Sequence, residues 1–305
     1  MLELFPELDL SAGGLGASRV TLSNLMMALN AGAAPGLAVE VPGRDGAPDV
    51  HLQLFKPPGL ALPRPAIYYM HGGGMVLGSA AQSSKQLWEY ALDHEAVVVS
   101  VDYRLAPEAQ YPAPLEDCYT GLLWVYSNAD ALGIDRSRIA VMGESAGGGL
   151  AASLAILARD RNSVPICAQI LTYPMLDHRT GGLESTSHAN ATGQFIWLRT
   201  HNRLGWSALQ GNYSFSDLHK GYFSAARATQ LAGLPSTFIA VGALDLFLDE
   251  DLDYGSRLAC AGVPVELHVY PGAIHGFDLM PDAKVSVAAK AARTFALRRA
   301  LALAT

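Results

Sequence analysis

Apolar residues follow two rhythms along this chain. Residues 66–70, 96–101, 139–142, 166–172 and 237–241 are short, nearly uninterrupted apolar runs, the pattern of strands buried on both faces. Residues 50–55 alternate apolar and polar positions and predict an edge hairpin strand. Residues 263–270 predict a last strand, and the alternation from 265 onward marks it as a more exposed edge. Helix-forming stretches fall at about 18–30, 82–92, 114–126, 150–158 and 283–301. Ser18 and Asp282 are the expected N-caps of the first and last. Arg293, Arg298 and Arg299 sit toward the C-terminal end of the last helix, where its dipole favours cations. Strands alternating with helices predict a parallel sheet covered on both faces, an α/β fold.

The rhythm departs from this scheme in two places. Residues 18–30 carry Val20, Leu22, Leu25, Met26, Met27 and Leu29 against one charge, Arg19. Such a helix must pack on something, either as ordinary core or as a lid over a hydrophobic pocket. Residues 177–231 are polar, glycine-punctuated and rich in aromatics (Phe195, Trp197, Trp206, Tyr213, Phe215, Tyr222, Phe223), which predicts an inserted helical cap. Those rings either hold the insert together or line a pocket, and the sequence does not choose. The expected organisation is therefore 1–45 as the N-terminal part of the cap, 46–176 as the first part of the α/β core, 177–231 as the cap insertion and 232–305 as the second part of the core.

Composition narrows the partners. The chain has 305 residues, a formal net charge of −7, 50% hydrophobic and 16% charged residues. It can bury a large core, and it has no basic run of the kind nucleic acid attracts. Cys118, Cys167 and Cys260 have no paired spacing for a metal, a disulfide framework or redox work. The acidic N-terminus lacks the basic region of a signal peptide, and no uncharged apolar run reaches membrane-spanning length, so a cytoplasmic protein without a membrane partner is expected.

The chemistry concentrates where strands end. The strand at 139–142 runs into Gly143-Glu-Ser-Ala-Gly147, and a helical stretch follows. A strained turn at Ser145 would lift its hydroxyl above the sheet, and side chains at 143 and 147 would collide with neighbouring backbone. The helix N-terminus behind Ser145 favours developing negative charge. After the strand at 66–70 comes His71-Gly-Gly-Gly74, whose consecutive glycines can turn N–H groups toward one point, a nest suited to an oxyanion. Asp245 follows the strand at 237–241, and His275, flanked by Gly276, follows the last strand. Asp249, Glu250 and Asp251 read as acids in the first turn of the next helix. His51 and His268 fall within strands; His94, His178, His188, His201 and His219 fall in expected helices or the insert; His71 is expected to orient the glycine loop. In Asp102-Tyr-Arg-Leu-Ala-Pro-Glu108, Arg104 and Glu108 are close enough to lock a supporting loop through an ion pair or backbone bonds. Ser145, Asp245 and His275 thus form, in that order, a candidate nucleophile, acid and base.

These segments together resemble the hormone-sensitive-lipase-like esterases, the bacterial family IV carboxylesterases of the α/β-hydrolase superfamily. The resemblance rests on His71–Gly74, Asp102–Glu108, Gly143–Gly147, Asp245 with Asp249-Glu250, and His275-Gly-Phe277, and spans about residues 17–300. It implies an α/β-hydrolase fold: a mostly parallel eight-stranded sheet flanked by helices, with a helical cap built from the N-terminal helices and an insertion after the sixth strand. It also implies a serine carboxylesterase for short- to medium-chain acyl esters, with no cofactor and no metal. The oxyanion donors would be the N–H of Ala146 and of two nest glycines; the resemblance assigns Gly73 and Gly74, while spacing alone leaves Gly72 open. A homodimer through the last strand and helix is frequent in this family. Met75 stands where an aromatic is usual and Leu246 where a proline is usual, both near the site and so bearing on acyl-chain preference. With imidazole as the base, activity should fall in acid, since histidine titrates near ~6.5. The alternatives are an amidase or lactonase on the same scaffold, or a non-catalytic ligand receptor of the kind plants build on this fold. Loss of the histidine would signal a receptor, and His275 is in place.

Overall fold

The computed structural model describes residues 5–59, 63–182, 191–214 and 219–303. The chain opens with α1 (Leu15–Leu29) and the hairpin of β1 (Leu37–Val41) and β2 (Val50–Phe55), then β3 (Arg64–Met70), α2 (Ser84–Asp93) and β4 (Val97–Asp102). Next come α3 (Ala113–Ser127), the single turn α4 (Ala129–Leu132), β5 (Ile134–Glu144), α5 (Ala146–Asp160) and β6 (Ala168–Thr172). The insert contributes α6 (Arg199–Gln210) and α7 (Lys220–Phe223) before β7 (Ser236–Gly242), α8 (Leu248–Cys260), β8 (Val265–Tyr270) and α9 (Lys284–Ala300).

The strands form one eight-stranded sheet in the order β1-β2-β4-β3-β5-β6-β7-β8. β1, β2 and β4 pair antiparallel, and every other neighbouring pair is parallel. Strand side chains alternate between two cores. Tyr68 and Met70 of β3, with Val99 of β4 and Val141 of β5, pack under α3, α5 and α8. Ile67, Tyr69, Val98 and Met142 pack under α2 and α9. This two-sided cover explains why the central strands are mostly apolar, with a few buried polar residues such as Ser100 and Gln169 among them.

Three features differ from the sequence-based expectation. β2 is not an edge: β1 pairs outside it and is the true edge, although residues 37–41 fall in the stretch expected to belong to the cap. β1 is short and largely exposed, so it carries little apolar signal. Ser18 lies inside α1, where its hydroxyl donates to the Asp9 carbonyl and accepts from the Asp9 N–H, both at 2.9 Å. Ala283, not Asp282, precedes α9, with no side-chain cap. Helix propensity places a helix well, but its ends are set by what each cap residue reaches in three dimensions.

Candidate active site

β5, β7 and β8 are parallel neighbours or near neighbours, so the loops leaving their C-terminal ends meet along one edge of the sheet. Ser145 sits between β5 and α5 with φ +55° and ψ −123°, a conformation that L-residues rarely adopt. It is held there by its N–H donating to the Thr172 carbonyl at 2.9 Å, and by its carbonyl accepting from Met175 N–H at 2.9 Å. A Cβ at position 143 would come within 2.2 Å of the Gly147 carbonyl oxygen, and one at 147 within 2.1 Å of that of Met70. Both glycines are therefore required by the turn itself.

The loop after β8 brings His275 over this turn. Its Nε2 lies 2.9 Å from Ser145 Oγ, and its Nδ1 lies 2.9 Å from Asp245 Oδ2. The Phe247 N–H donates to the other Asp245 oxygen at 3.0 Å, which fixes the carboxylate plane. All three side chains are buried. The imidazole is walled by Tyr173, with ring centroids 4.7 Å apart, and edge-on by Phe247 at 5.2 Å. Serine, histidine and aspartate thus form one hydrogen-bonded line, with the histidine able to accept the serine proton.

The nest faces the same point. Gly73 and Gly74 have φ of +132° and +61°, and Val76 and Leu77 N–H groups close a turn on the Gly73 carbonyl. Among the described residues the N–H groups of Gly73, Gly74 and Ala146 meet no protein acceptor. Trp197 lies against Gly74, where a Cβ would come within 2.0 Å of the indole. His71 is fully buried, stacks on Tyr103 at 4.2 Å, and burial lowers its pKa; it shapes the loop and does not enter the relay. The Tyr103 hydroxyl donates to the His71 carbonyl at 2.7 Å, so the Asp102–Glu108 segment does support the nest. Its ion pairs, however, are not the expected one. Arg104 forks onto Asp117 of α3 at 2.7 and 2.8 Å, and Glu108 accepts a fork from Arg19 of α1 at 2.7 and 2.8 Å. Arg19 also donates to the Val76 and Ala106 carbonyls at 2.8 and 2.9 Å, which ties α1 to the nest.

Ser145, His275, Gly73 and Gly74 border a cavity of about 340 Å³. One wall is apolar and comes from Leu8, Leu22, Met26 and Leu29, with Ile196 and Trp197 of the insert. The hydrophobic face of α1 is thus a lid over a pocket. Of the insert's aromatics, Trp197 reaches this cavity, whereas Trp206 and Phe223 pack in the core with Tyr111 and Met75 around a separate small void. Met75 therefore points away from the catalytic cavity, and Leu246 is buried against Gly193 of the insert. Phe215 and His188 lie outside the described residues. His94 is buried at the end of α2, where desolvation lowers its pKa to about 4.

Sequence reasoning missed the buried acids. Glu250 sits in the first turn of α8 as expected, but its carboxylate reaches back to accept from Leu176 and Asp177 N–H at 2.5 and 3.1 Å and from the Thr180 hydroxyl. It holds the root of the insert beside Asp245. Glu144 accepts from the Tyr69 hydroxyl at 2.7 Å, and burial next to Asp278 pushes its carboxyl up to about 7. Nothing in the spacing of these acids announces burial. Among the described residues no group of three or more His, Cys, Asp or Glu side chains is placed to hold a metal ion.

A family model for the α/β hydrolase fold matches residues 67–279. The carboxylesterase NlhH of Mycobacterium tuberculosis is 34% identical over 281 residues, which cover 91% of this chain and 86% of that one. The chain belongs to the α/β-hydrolase family, in its hormone-sensitive-lipase-like carboxylesterase branch. The esterase LipI of the same organism is 38% identical over 70% of this chain, which spans 65% of LipI. Among solved structures a bacterial heroin esterase superposes on this carboxylesterase with a TM-score of 0.90 and 39% identity, covering 98% of this chain and 95% of that one. No helix among the described residues is long and apolar enough to cross a membrane.

Proposed function

We propose that this carboxylesterase hydrolyses short- to medium-chain acyl esters through an acyl-Ser145 intermediate. The observation that carries the reading is the unbroken Ser145–His275–Asp245 line opening into a cavity that the glycine nest also faces. In this reading Ser145 Oγ attacks the ester carbonyl as His275 Nε2 takes its proton. Asp245 keeps the other imidazole proton on Nδ1 and stabilises the cation that forms. The carbonyl oxygen becomes an oxyanion bound by the N–H groups of Gly73, Gly74 and Ala146, each such donor contributing about 10²–10³ in rate. His275 returns its proton to the leaving alcohol. Water then enters, loses a proton to His275, attacks the acyl carbon and frees Ser145.

The apolar wall supplied by α1 supports an acyl or alkyl chain of modest length, because it lines one side of a cavity of about 340 Å³. The buried position of His275, in line with both partners, favours catalysis over a receptor role. Hydrolysis of p-nitrophenyl esters from acetyl to palmitoyl tests the reading. Ser145→Ala is expected to lower kcat by at least about 10³-fold at every chain length. Equal rates in both proteins would remove Ser145 as the nucleophile, and anilide turnover matching ester turnover would favour an amidase. The residue ranges given above for cap and core, with β1 moved from the cap to the core, an ester small molecule as partner in place of nucleic acid, a cytoplasmic site of action and a homodimer through β8 and α9 complete the proposal.

A further inference from the structure

Arg293 projects from α9 into the protein and is buried. Its Nη1 lies 3.2 Å from Asp278 Oδ2, 3.3 Å from Thr172 Oγ1 and 4.0 Å from Glu144 Oε1. Its guanidinium also lies over the Tyr90 ring of α2, 5.4 Å from the centroid. Each of the three oxygen contacts leads to the reacting groups in one short step. Asp278 is on the same loop as His275, three residues on. The carbonyl of Thr172 accepts the Ser145 N–H. Glu144 immediately precedes Ser145. Tyr173, next to Thr172, packs its tilted ring against His275 and donates its hydroxyl to the other Asp278 oxygen. One side chain on a distant helix thus touches the turn that carries the nucleophile, the strand end that holds it and the loop that carries the base.

We propose that Arg293 is a positioning residue, a cationic bracket that holds the Ser145 turn and the His275 loop at hydrogen-bonding distance and sets the charge beneath the imidazole. The proposal rests on the triad reading above. The cation compensates two buried carboxyls, Glu144 and Asp278, and the cluster is otherwise faced by the hydroxyls of Tyr69, Tyr90, Thr172 and Tyr173. The Glu89–Lys290 pair at the cavity mouth is the next charged neighbour. The position of the Glu144 carboxyl near neutrality fits a site where one guanidinium serves two acids. Without the cation both loops lose their shared anchor, and the remaining carboxyls favour a protonated imidazole. A lysine restores the charge and can donate to the same oxygens, but its ammonium lacks the planar guanidinium that lies over the Tyr90 ring and fixes the direction of approach.

The test is steady-state hydrolysis of p-nitrophenyl acetate from pH 5 to 9 by wild type, Arg293→Met, Arg293→Lys and Asp278→Asn, with an alkyl p-nitrophenyl phosphonate to label the nucleophile. Arg293→Met is expected to lose about 10- to 100-fold in kcat with KM within threefold of wild type. The acid limb of its kcat/KM profile should move up by about half a pH unit, and that of Asp278→Asn should move down. Arg293→Lys should keep the wild-type limb and recover part of kcat. A folded Arg293→Met with the kcat and acid limb of wild type overturns the proposal, as does a loss confined to KM. Where Arg293→Met does not fold, Arg293→Lys decides, because a wild-type kcat there also overturns it. Phosphonate labelling separates the two readings. Wild type that does not label at Ser145 removes the triad reading, whereas Arg293→Met that labels as fast as wild type removes only the bracket.

Discussion

Asp251 is a carboxyl with nowhere to put its charge. It is fully buried in the first turn of α8, and among the described residues neither oxygen has a hydrogen-bond partner. Burial, with Glu250 and Asp245 nearby, holds its pKa well above the usual carboxylate range. The folded state therefore keeps a proton that the unfolded chain releases near the ordinary value. Stability is lost as pH rises from the unfolded pKa toward the folded one. Asp251→Asn removes that linkage and supplies a neutral group of similar shape. Chemical denaturation should find the variant and wild type alike near pH 4 and the variant more stable at pH 8, by about 1 kcal/mol or more. A variant less stable than wild type at pH 8 would show that the carboxylate has an ionic partner. Glu250, the preceding residue, shows the contrast: its oxygens meet two backbone N–H groups and a hydroxyl, so its burial is compensated.

At the scale of elements, α1 is a wall pinned at both ends. Arg19 fixes one end to the Val76 and Ala106 carbonyls and to Glu108. Asn30 fixes the other by donating to the Gln82 carbonyl at 2.7 Å and accepting from Lys85 N–H at 2.8 Å. The Glu108 end is largely exposed, so the ion pair itself adds little. The bonds to the Val76 carbonyl of the nest loop and the Ala106 carbonyl of the segment that supports it are what place the wall. Arg19→Met should raise KM for hexanoyl and octanoyl esters about tenfold while changing the acetyl ester little, since only longer chains reach Leu22, Met26 and Leu29. An unchanged chain-length profile would count against α1 as the acyl wall. This element also marks where the sequence was legible. Apolar runs and glycines located the central strands, the Ser145 turn and the nest because those features are local. The Arg19–Glu108 pair spans 89 residues and the Arg293–Glu144 contact joins α9 to β5. No local pattern couples such residues, so Arg104 was matched to the nearby Glu108 when Asp117 was its partner. β1 escaped because Val41 is its only fully buried residue and the other positions are exposed or half-buried, which leaves a weak apolar signal.

For the whole molecule, the open question is the edge of the sheet. β1 closes one side and β8 the other, and a free strand edge invites pairing. At the β8 side the invitation is reinforced on the neighbouring surfaces: Val269 is 41% exposed on the strand, and Val287 and Phe295 are 55% and 52% exposed on α9. The polar positions of β8 are already engaged within the chain, with Glu266 bound to His268 and Arg299, so they do not oppose approach. Two copies related by a two-fold axis could pair β8 against β8 and cover the apolar residues of both helices, an isologous contact that closes on itself. Light scattering coupled to size exclusion should find wild type as a dimer and Phe295→Glu, or Val269→Lys, shifted to monomer. A monomeric wild type at tens of micromolar would end this reading. The triad, nest and Arg293 bracket are all supplied by one chain. The monomeric variants are therefore expected to keep kcat within about threefold of wild type while unfolding at lower temperature. A larger loss of kcat would mean instead that pairing at β8 stiffens the loop that follows it, the loop that carries His275 and Asp278.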